Sequence, residues 1–215
     1  MPSIEGARLK LRRKYISVTA KKRHNFIKNK DFTIISNNCW AGFVYQSYNL
    51  PYNTPTIGLY FMAEDYIKFL SNLQGYINSE LTFINPKDSR YVEILKNDKK
   101  FGEYPIGKLN DIEIMFLHYQ SEKEALDKWN KRCSRINWDK LLVKFNDQNG
   151  CLKKHLESFD NLDIKNKVCF TSKDYSNLKS TIYINSAKKQ ESVYASQEPF
   201  GKSKYIDITK LIDSL

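Results

Sequence analysis

The sequence predicts an α/β fold of three layers: a mainly parallel, Rossmann-like sheet between helices, with a small antiparallel β insertion at about residues 81–110. β-rich runs alternate with helical patterns along most of the chain, the order that joins parallel strands through crossover helices. Within the insertion the β-rich runs are short and are separated by turn residues such as Asn85-Pro86. We therefore expect a single α/β domain over residues 31–215, preceded by a basic arm over residues 1–30.

The first half of the chain contains two predicted strand–turn–helix units and the insertion. Residues Phe32 to Ser36 predict a strand, after which the polar pair Asn37-Asn38 leads into a helix at residues 39–48. A loop bounded by prolines separates this unit from the next. The further elements predicted here are a strand at Thr56–Phe61, a helix from Ala63 to about Leu73, and insertion strands at Leu81–Ile84, Tyr91–Leu95 and Tyr104–Lys108.

The second half returns to regular α/β order. A strand at Ile112–Leu117 ends on His118-Tyr119, and Ser121 with Glu124 forms a capping box that begins a helix. This helix has an apolar stripe and a basic stripe, formed by Leu126, Trp129, Cys133 and Ile136 and by Lys128, Arg132 and Arg135. The remaining predicted elements are a strand at Leu141–Phe145, a turn at Asn149-Gly150, a helix at Cys151–Phe159 and strands at Val168–Phe170 and Thr181–Ile184.

The positive charge is concentrated at the N-terminus. Residues 1–30 hold ten Lys or Arg and one acid, Glu5, and so carry +9 of the formal net charge of +11. Because the rest of the chain is nearly neutral, a general nucleic-acid partner is not favoured. The arm is open to three interpretations: a solvated basic tail, a contact with an anionic membrane surface, or a nucleic-acid contact. Interleaved apolar residues suit an interfacial segment and equally a helix docked on the body.

The sequence lacks the features that mark several classes of protein and site. The chain shows no run long enough to span a membrane and no signal peptide, so we expect a cytoplasmic protein, peripheral at the inner membrane face if the arm binds lipid. Its four cysteines form no Cys-x-x-Cys pair, and no metal-binding, Walker or dinucleotide motif is present. We expect no metal site, reduced thiols and no tightly bound cofactor.

Polar residues follow the predicted strands, where α/β sheets bind ligands. Cys39 lies between a strand and a helix N-terminus, a position at which the helix dipole favours the thiolate. With His118 as base and Asp147 orienting it, Cys39 could act as a nucleophile. Each of the three also has a structural interpretation: a thiol buried under Trp40, a hydrogen-bonded histidine at a strand end, and an Asx-turn aspartate.

The residues predicted to bind substrate are polar or aromatic neighbours of these three and the basic helix stripe. They are Asn37, Asn38, Trp40, Tyr119, Asn146, Lys128, Arg132 and Arg135. The guanidinium groups of the stripe match phosphate oxygens and could hold the diphosphate of a nucleotide donor. The alternative interpretation of the stripe is a solvated helix face.

Several stretches resemble a bacterial family of exopolysaccharide biosynthesis proteins, domain of unknown function family 1919 (DUF1919). They are Ile34 to Trp40, Leu50 to Leu59, Phe61 to Tyr66, Phe116 to Tyr119, the helix from Glu124 to Ile136, and Phe145 to Asp147. The resemblance covers roughly residues 30–210 and implies work in capsule or exopolysaccharide synthesis, where sugars are assembled on lipid carriers at the inner membrane face. It implies no particular reaction.

Three functional hypotheses follow. The first is a transferase acting on a polysaccharide or lipid-linked sugar precursor, with acyl transfer from acyl-coenzyme A through Cys39, His118 and Asp147. The second is a glycosyltransferase or sugar-phosphate transferase that uses a nucleotide sugar and forms no covalent intermediate. The third is a non-enzymatic assembly protein of the synthesis complex.

Overall fold

The computed structural model describes residues 4–215 as eight helices and seven strands, apart from short 3₁₀ turns. The helices are α1 (Ile4–Phe26), α2 (Trp40–Ser47), α3 (Ala63–Ser71), α4 (Leu73–Ile77), α5 (Val92–Leu95), α6 (Glu122–Cys133), α7 (Lys153–Asn161) and α8 (Ile208–Asp213). The strands are β1 (Thr33–Ser36), β2 (Thr82–Ile84), β3 (Ile106–Leu109), β4 (Ile112–Met115), β5 (Leu141–Asn146), β6 (Lys167–Thr171) and β7 (Thr181–Tyr183).

The strands form a parallel sheet and a separate antiparallel sheet. The parallel sheet has the order β1-β5-β6-β7, with Ile35 opposite Val143 and Phe145 opposite Cys169. The antiparallel sheet has the order β2-β3-β4. This arrangement confirms the predicted fold class, a Rossmann-like α/β fold with a small antiparallel insertion.

The parallel sheet is covered on both faces, which explains the continuous apolar runs of its central strands. On one face Val143 and Phe145 of β5 pack against apolar residues of α3, α6 and α7. On the other face Leu142 packs with apolar residues of α2 and α8. Side chains alternate along a strand, so Lys144 is directed to the same face as Leu142, toward α2.

Two of the predicted strands are wrong. Residues 56–61 form no strand and make a single β-bridge, between Tyr60 and Met115, because Gly58 has a φ of 72° that breaks the extended backbone. The second is residues 91–95, where α5 forms instead of a strand. The Ser89 hydroxyl accepts a hydrogen bond from the Tyr91 amide (3.1 Å), a local turn that begins a helix.

The strand predicted at residues 112–117 exists as β4, but in a different sheet from the one expected. It pairs with β3 in a hairpin whose turn contains Asn110 at a φ of 51°. A turn this tight fixes antiparallel pairing and leaves no room for a crossover helix. As a result His118 follows a strand of the antiparallel sheet, whereas Asn38 follows β1 and Asn146 ends β5, both in the parallel sheet.

The basic N-terminal segment is a helix docked on the body, one of the arrangements open from the sequence, rather than a solvated tail. α1 lies on α2, with Ile16 and Ala20 buried between them. The carboxylate of Glu5 accepts hydrogen bonds from the amide and hydroxyl of Ser196 (3.0 and 2.6 Å). Within residues 4–215 no helix combines the length and the apolar character needed to cross a bilayer.

Candidate functional site

A buried polar cluster lies where β1 and β5 end. It consists of Asn37, Asn38, Lys144, Asn146 and Glu198, all buried. Asn37 and Asn38 follow β1, and Lys144 and Asn146 lie within the last three residues of the adjacent parallel strand β5, so the topology brings these four together. Glu198, from the segment before α8, completes the cluster.

Hydrogen bonds connect every member of the polar cluster. Lys144 Nζ forms an ion pair with Glu198 and donates to Asn38 Oδ1 (3.0 Å). Asn146 Nδ2 donates to Glu198 Oε1, and Asn37 Nδ2 donates to Asn146 Oδ1, both at 2.8 Å. The cluster thus ties two sheet strands to the C-terminal segment.

The ion pair within the cluster is completely buried. Burial lowers the pKa of the Lys144 ammonium, and the adjacent Glu198 carboxylate opposes that shift. The amide oxygens of Asn37 and Asn38 satisfy the remaining ammonium protons. The arrangement is a fully hydrogen-bonded buried pair, suited to fixing the strand ends in place.

Two cavities adjoin this edge, and Cys39 lines both. Cavity A, of about 370 Å³, lies between Tyr60, Met62 and Gln148. Cavity B, of about 420 Å³, lies between Arg13 of α1, Gly42 and Phe43 of α2, Gly58 and His118. Cys39 immediately precedes α2 and separates the two spaces.

Cys39 is a neutral thiol, contrary to the thiolate that its position at a helix N-terminus led us to expect. Burial, with a smaller contribution from the nearby Glu198 carboxylate, raises the pKa of the Cys39 thiol to about 11. Its Sγ points to the carbonyl oxygen of Leu59 at 3.9 Å. The loss of hydration outweighs the helix dipole, whose effect is worth only about 0.3–1 kcal/mol.

His118 stands at the rim of cavity B with part of its side chain exposed. Partial burial lowers the pKa of its imidazole, and the positive charges of Lys100 and Arg13 lower it further. Its backbone amide donates to the carbonyl oxygen of Gly58 (2.9 Å). A Cβ at Gly58 would lie 3.3 Å from the Cβ of His118, so glycine permits this close approach. The imidazole is therefore neutral near pH 7.

Asp147 does not complete a triad with Cys39 and His118. Its Oδ2 accepts from the amide and hydroxyl of Ser172 (2.6 and 2.7 Å), and its Oδ1 accepts from the amide of Val193 (2.8 Å). These bonds hold the ends of β6 and the C-terminal segment together. Of the three predicted catalytic residues, the structure brings Cys39 and His118 to one cavity and leaves Asp147 as a loop anchor.

The basic stripe of α6 lies outside cavities A and B. Its side chains contact other groups of the protein. Lys128 pairs with Glu124, one turn earlier. Arg132 Nη1 donates to the hydroxyl of Tyr119 (2.6 Å), and Arg135 reaches the carbonyl oxygen of Tyr52 (3.5 Å). The stripe therefore does not line the site at the ends of the parallel strands. It is also not a fully solvated helix face.

Trp40 forms a wall of the polar cluster. Its ring is fully buried, and its centroid lies 5.9 Å from Lys144 Nζ. Its backbone amide donates to Asn38 Oδ1 (3.0 Å). Trp40 therefore packs against the cluster and has no exposed surface with which to contact a ligand.

Sequence reasoning missed three residues of this region: Lys144, Glu198 and Arg13. A single lysine within the apolar run of β5 is a usable signal, because a charge in a buried strand needs a partner. Glu198 and Arg13 carry no comparable signal, since their positions depend on contacts between segments far apart in the chain.

Comparison with known proteins shows that one family model matches the whole region of the candidate site. The model of the family described as "Domain of unknown function (DUF1919)" matches residues 9–215. This chain belongs to the DUF1919 family. A relative from Haemophilus influenzae, described as an uncharacterized protein, is 36% identical over 190 residues, which cover 88% of this chain and 84% of the relative. The DUF1919 match includes Arg13 of α1 as well as Cys39, His118 and the polar cluster.

Proposed function

We propose that this DUF1919 protein is a transferase that extends or modifies a polysaccharide precursor in capsule or exopolysaccharide synthesis, with cavity B as the reaction site. One observation carries the proposal. Cys39 and His118, from different sheets, line the same cavity beside the ends of the parallel strands. Ligands bind at this edge in α/β sheets generally. The link to polysaccharide synthesis is supported by the sequence resemblance alone.

His118 is the base in this proposal. A neutral imidazole at a cavity rim can remove a proton from an acceptor hydroxyl as the hydroxyl attacks the donor, a contribution of typically 10²–10⁴-fold in rate. Arg13 supplies a positive charge in the same cavity for an anionic donor such as a nucleotide sugar. The neutral Cys39 thiol favours direct transfer without a covalent intermediate.

The second candidate is acyl transfer through Cys39, and it has one favourable observation: the thiol and the imidazole share a cavity. His118 would take the thiol proton as sulfur attacks the thioester carbonyl of acyl-coenzyme A. The protonated imidazole would return that proton to the departing coenzyme A thiolate. The raised pKa of Cys39 makes this proton transfer costly, so direct transfer is preferred.

α1 supports a location at an anionic membrane surface. Five large apolar side chains on its outer side are between 57% and 76% exposed: Ile4, Leu11, Tyr15, Val18 and Phe26. At 100° per residue they fall within about 80° of the helix circumference, and exposed lysines flank them. Each lysine near an anionic leaflet contributes roughly 1 kcal/mol. We propose that this apolar stripe lies on the inner face of the membrane.

A ligand panel on the full chain tests the reaction class. Thermal unfolding is measured with uridine, guanosine and cytidine nucleotide sugars and with acetyl-coenzyme A. Direct transfer predicts stabilisation by a nucleotide sugar, reduced in Arg13→Gln, which removes the positive charge of cavity B, but kept in Arg8→Gln, which alters an exposed position of the same helix. Stabilisation by acetyl-coenzyme A alone would favour the acyl route, and stabilisation by neither would favour the non-enzymatic alternative.

A further inference from the structure

A third cavity lies beside α1 and shares no lining residue with cavity B. This groove, of about 820 Å³, is enclosed between α1 and the C-terminal residues 196–209. Neighbouring residues of α1 line the two spaces: Arg12 lines the groove and Arg13 lines cavity B. The groove is therefore separate from the reaction site proposed above.

Arg12 is the unusual feature of the groove. Only 8% of the residue is exposed, and while its Nη1 donates to the carbonyl oxygen of Ala195 (2.9 Å), its Nε and Nη2 are buried without a partner. The guanidinium carbon lies 4.9 Å from the ring centroid of Phe43 and 4.6 Å from that of Phe200. Two rings thus hold the charged group in place while two of its three nitrogens make no hydrogen bond. Buried guanidinium donors without acceptors are costly, and an anion would relieve that cost.

The groove carries an excess of positive charge. Four further cations line it: Lys22, Arg23, Lys202 and Lys204. Its two carboxylates are fewer than its five cations: Glu198 pairs with Lys144, and Asp207 accepts from the backbone amide of Lys210 (3.1 Å). Within residues 4–215 neither carboxylate forms an ion pair with the exposed Lys202 or Lys204, so positive charge is in excess.

We propose that this groove binds a phosphate-bearing anion, with Arg12 as its buried anchor and Lys202 and Lys204 as its exposed contacts. Guanidinium forks match phosphate oxygens, and several cations around one ligand suit its multiple charges better than the single charge of a carboxylate. A free diphosphate and a phospholipid headgroup share this chemistry. The proposal is independent of the reaction at cavity B.

Titration calorimetry of the full chain with inorganic pyrophosphate, at constant ionic strength, tests the first source. The test variant is Lys202→Gln/Lys204→Gln, whose residues are exposed and leave Arg12 in place. Loss of two charge-assisted contacts should weaken binding by roughly tenfold or more. Lys165→Gln/Lys173→Gln removes the same charge from exposed positions outside the groove and should bind within about twofold of the unchanged chain.

Sedimentation with vesicles of phosphatidylcholine, with and without phosphatidylglycerol, tests the second source in the same three proteins. Pyrophosphate binding that depends on the groove lysines supports a soluble diphosphate ligand. Vesicle binding that depends on those lysines, without pyrophosphate binding, supports a headgroup ligand. If neither binding distinguishes the groove variant from the control variant, the proposal is overturned.

Discussion

The Lys144 ammonium and the Glu198 carboxylate form a completely buried ion pair that joins strand β5 to the segment before α8. Its amide neighbours Asn37 and Asn38 lead directly into Cys39, which lines both cavities that adjoin the strand ends. The geometry of Cys39, and with it the wall between cavities A and B, therefore depends on this pair.

Breaking the pair from one side should destabilise the protein strongly. Glu198→Gln leaves the Lys144 ammonium buried without its counter-charge, a loss of about 3–5 kcal/mol in the free energy of unfolding. Urea denaturation measures this, with Glu93→Gln as the control because Glu93 pairs with Lys96 at an exposed position. A loss for Glu198→Gln no larger than that of the control would show that the pair does not hold the strand ends.

Cys39 should react slowly with alkylating reagents. Because burial raises the pKa of its thiol to about 11, only about one thiol in 10⁴ is ionised at pH 7. We expect iodoacetamide to label Cys39 much more slowly than free glutathione at pH 7, and its rate to rise with pH up to about pH 11. Site-resolved mass spectrometry gives the rate. Labelling faster than glutathione would contradict the neutral thiol and restore Cys39 as an activated nucleophile.

His118 should titrate below the ordinary histidine pKa of 6.5. Arg13 and Lys100 both lower its pKa, so Arg13→Gln should raise it, whereas Arg8→Gln, on an exposed position of the same helix, should not. Proton NMR of the imidazole measures the shift. Equal pKa values in the two variants would show that Arg13 does not act on His118.

The same shift sets a pH dependence of stability. Because the folded-state pKa of His118 lies below its unfolded value, the unfolded chain binds the extra proton first as pH falls. The His118 contribution to stability is therefore fully present above pH 6.5 and is lost as pH falls through the folded-state pKa. Urea unfolding at pH 7.5 and pH 5 should show a smaller stability loss in His118→Gln than in the unchanged chain. An identical loss in both would contradict the lowered pKa.

The apolar stripe of α1 should control binding to anionic vesicles. Leu11→Ser/Val18→Ser removes two side chains that are 70% and 76% exposed, so the fold should tolerate the change. We expect vesicle binding to fall with these substitutions. The control Ile94→Ser/Leu152→Ser alters apolar side chains exposed elsewhere (54% and 58%) and should bind normally. Normal binding by the α1 variant would refute the membrane proposal.

Local sequence was enough to predict the parallel sheet. The buried strands β1 and β5 are rich in apolar residues, with asparagine directly after the first and at the end of the second, a pattern typical of strands covered on both faces. The same pattern could not tell which sheet receives β4, because its Ile112–Met115 run is equally buried. The deciding feature is the short turn at Asn110, which makes β3 and β4 a hairpin.

Site residues at strand ends could be predicted from the sequence. Site residues that are positioned by contacts between distant segments of the chain could not. Asn37, Asn38 and Asn146 meet because β1 and β5 are neighbours. Glu198 and Arg13 reach this edge only through the docking of the C-terminal segment and of α1 on the body. Nothing in the local sequence around either residue predicts that docking.

The most direct test of the proposed reaction is the rate at which the purified chain cleaves the donor that stabilises it, compared between His118→Gln and His24→Gln. If His118 is the base in cavity B, its loss should lower the rate by about 10²–10⁴-fold, while His24→Gln stays close to the unchanged chain. A His118→Gln rate equal to that of the unchanged chain would contradict cavity B as the reaction site.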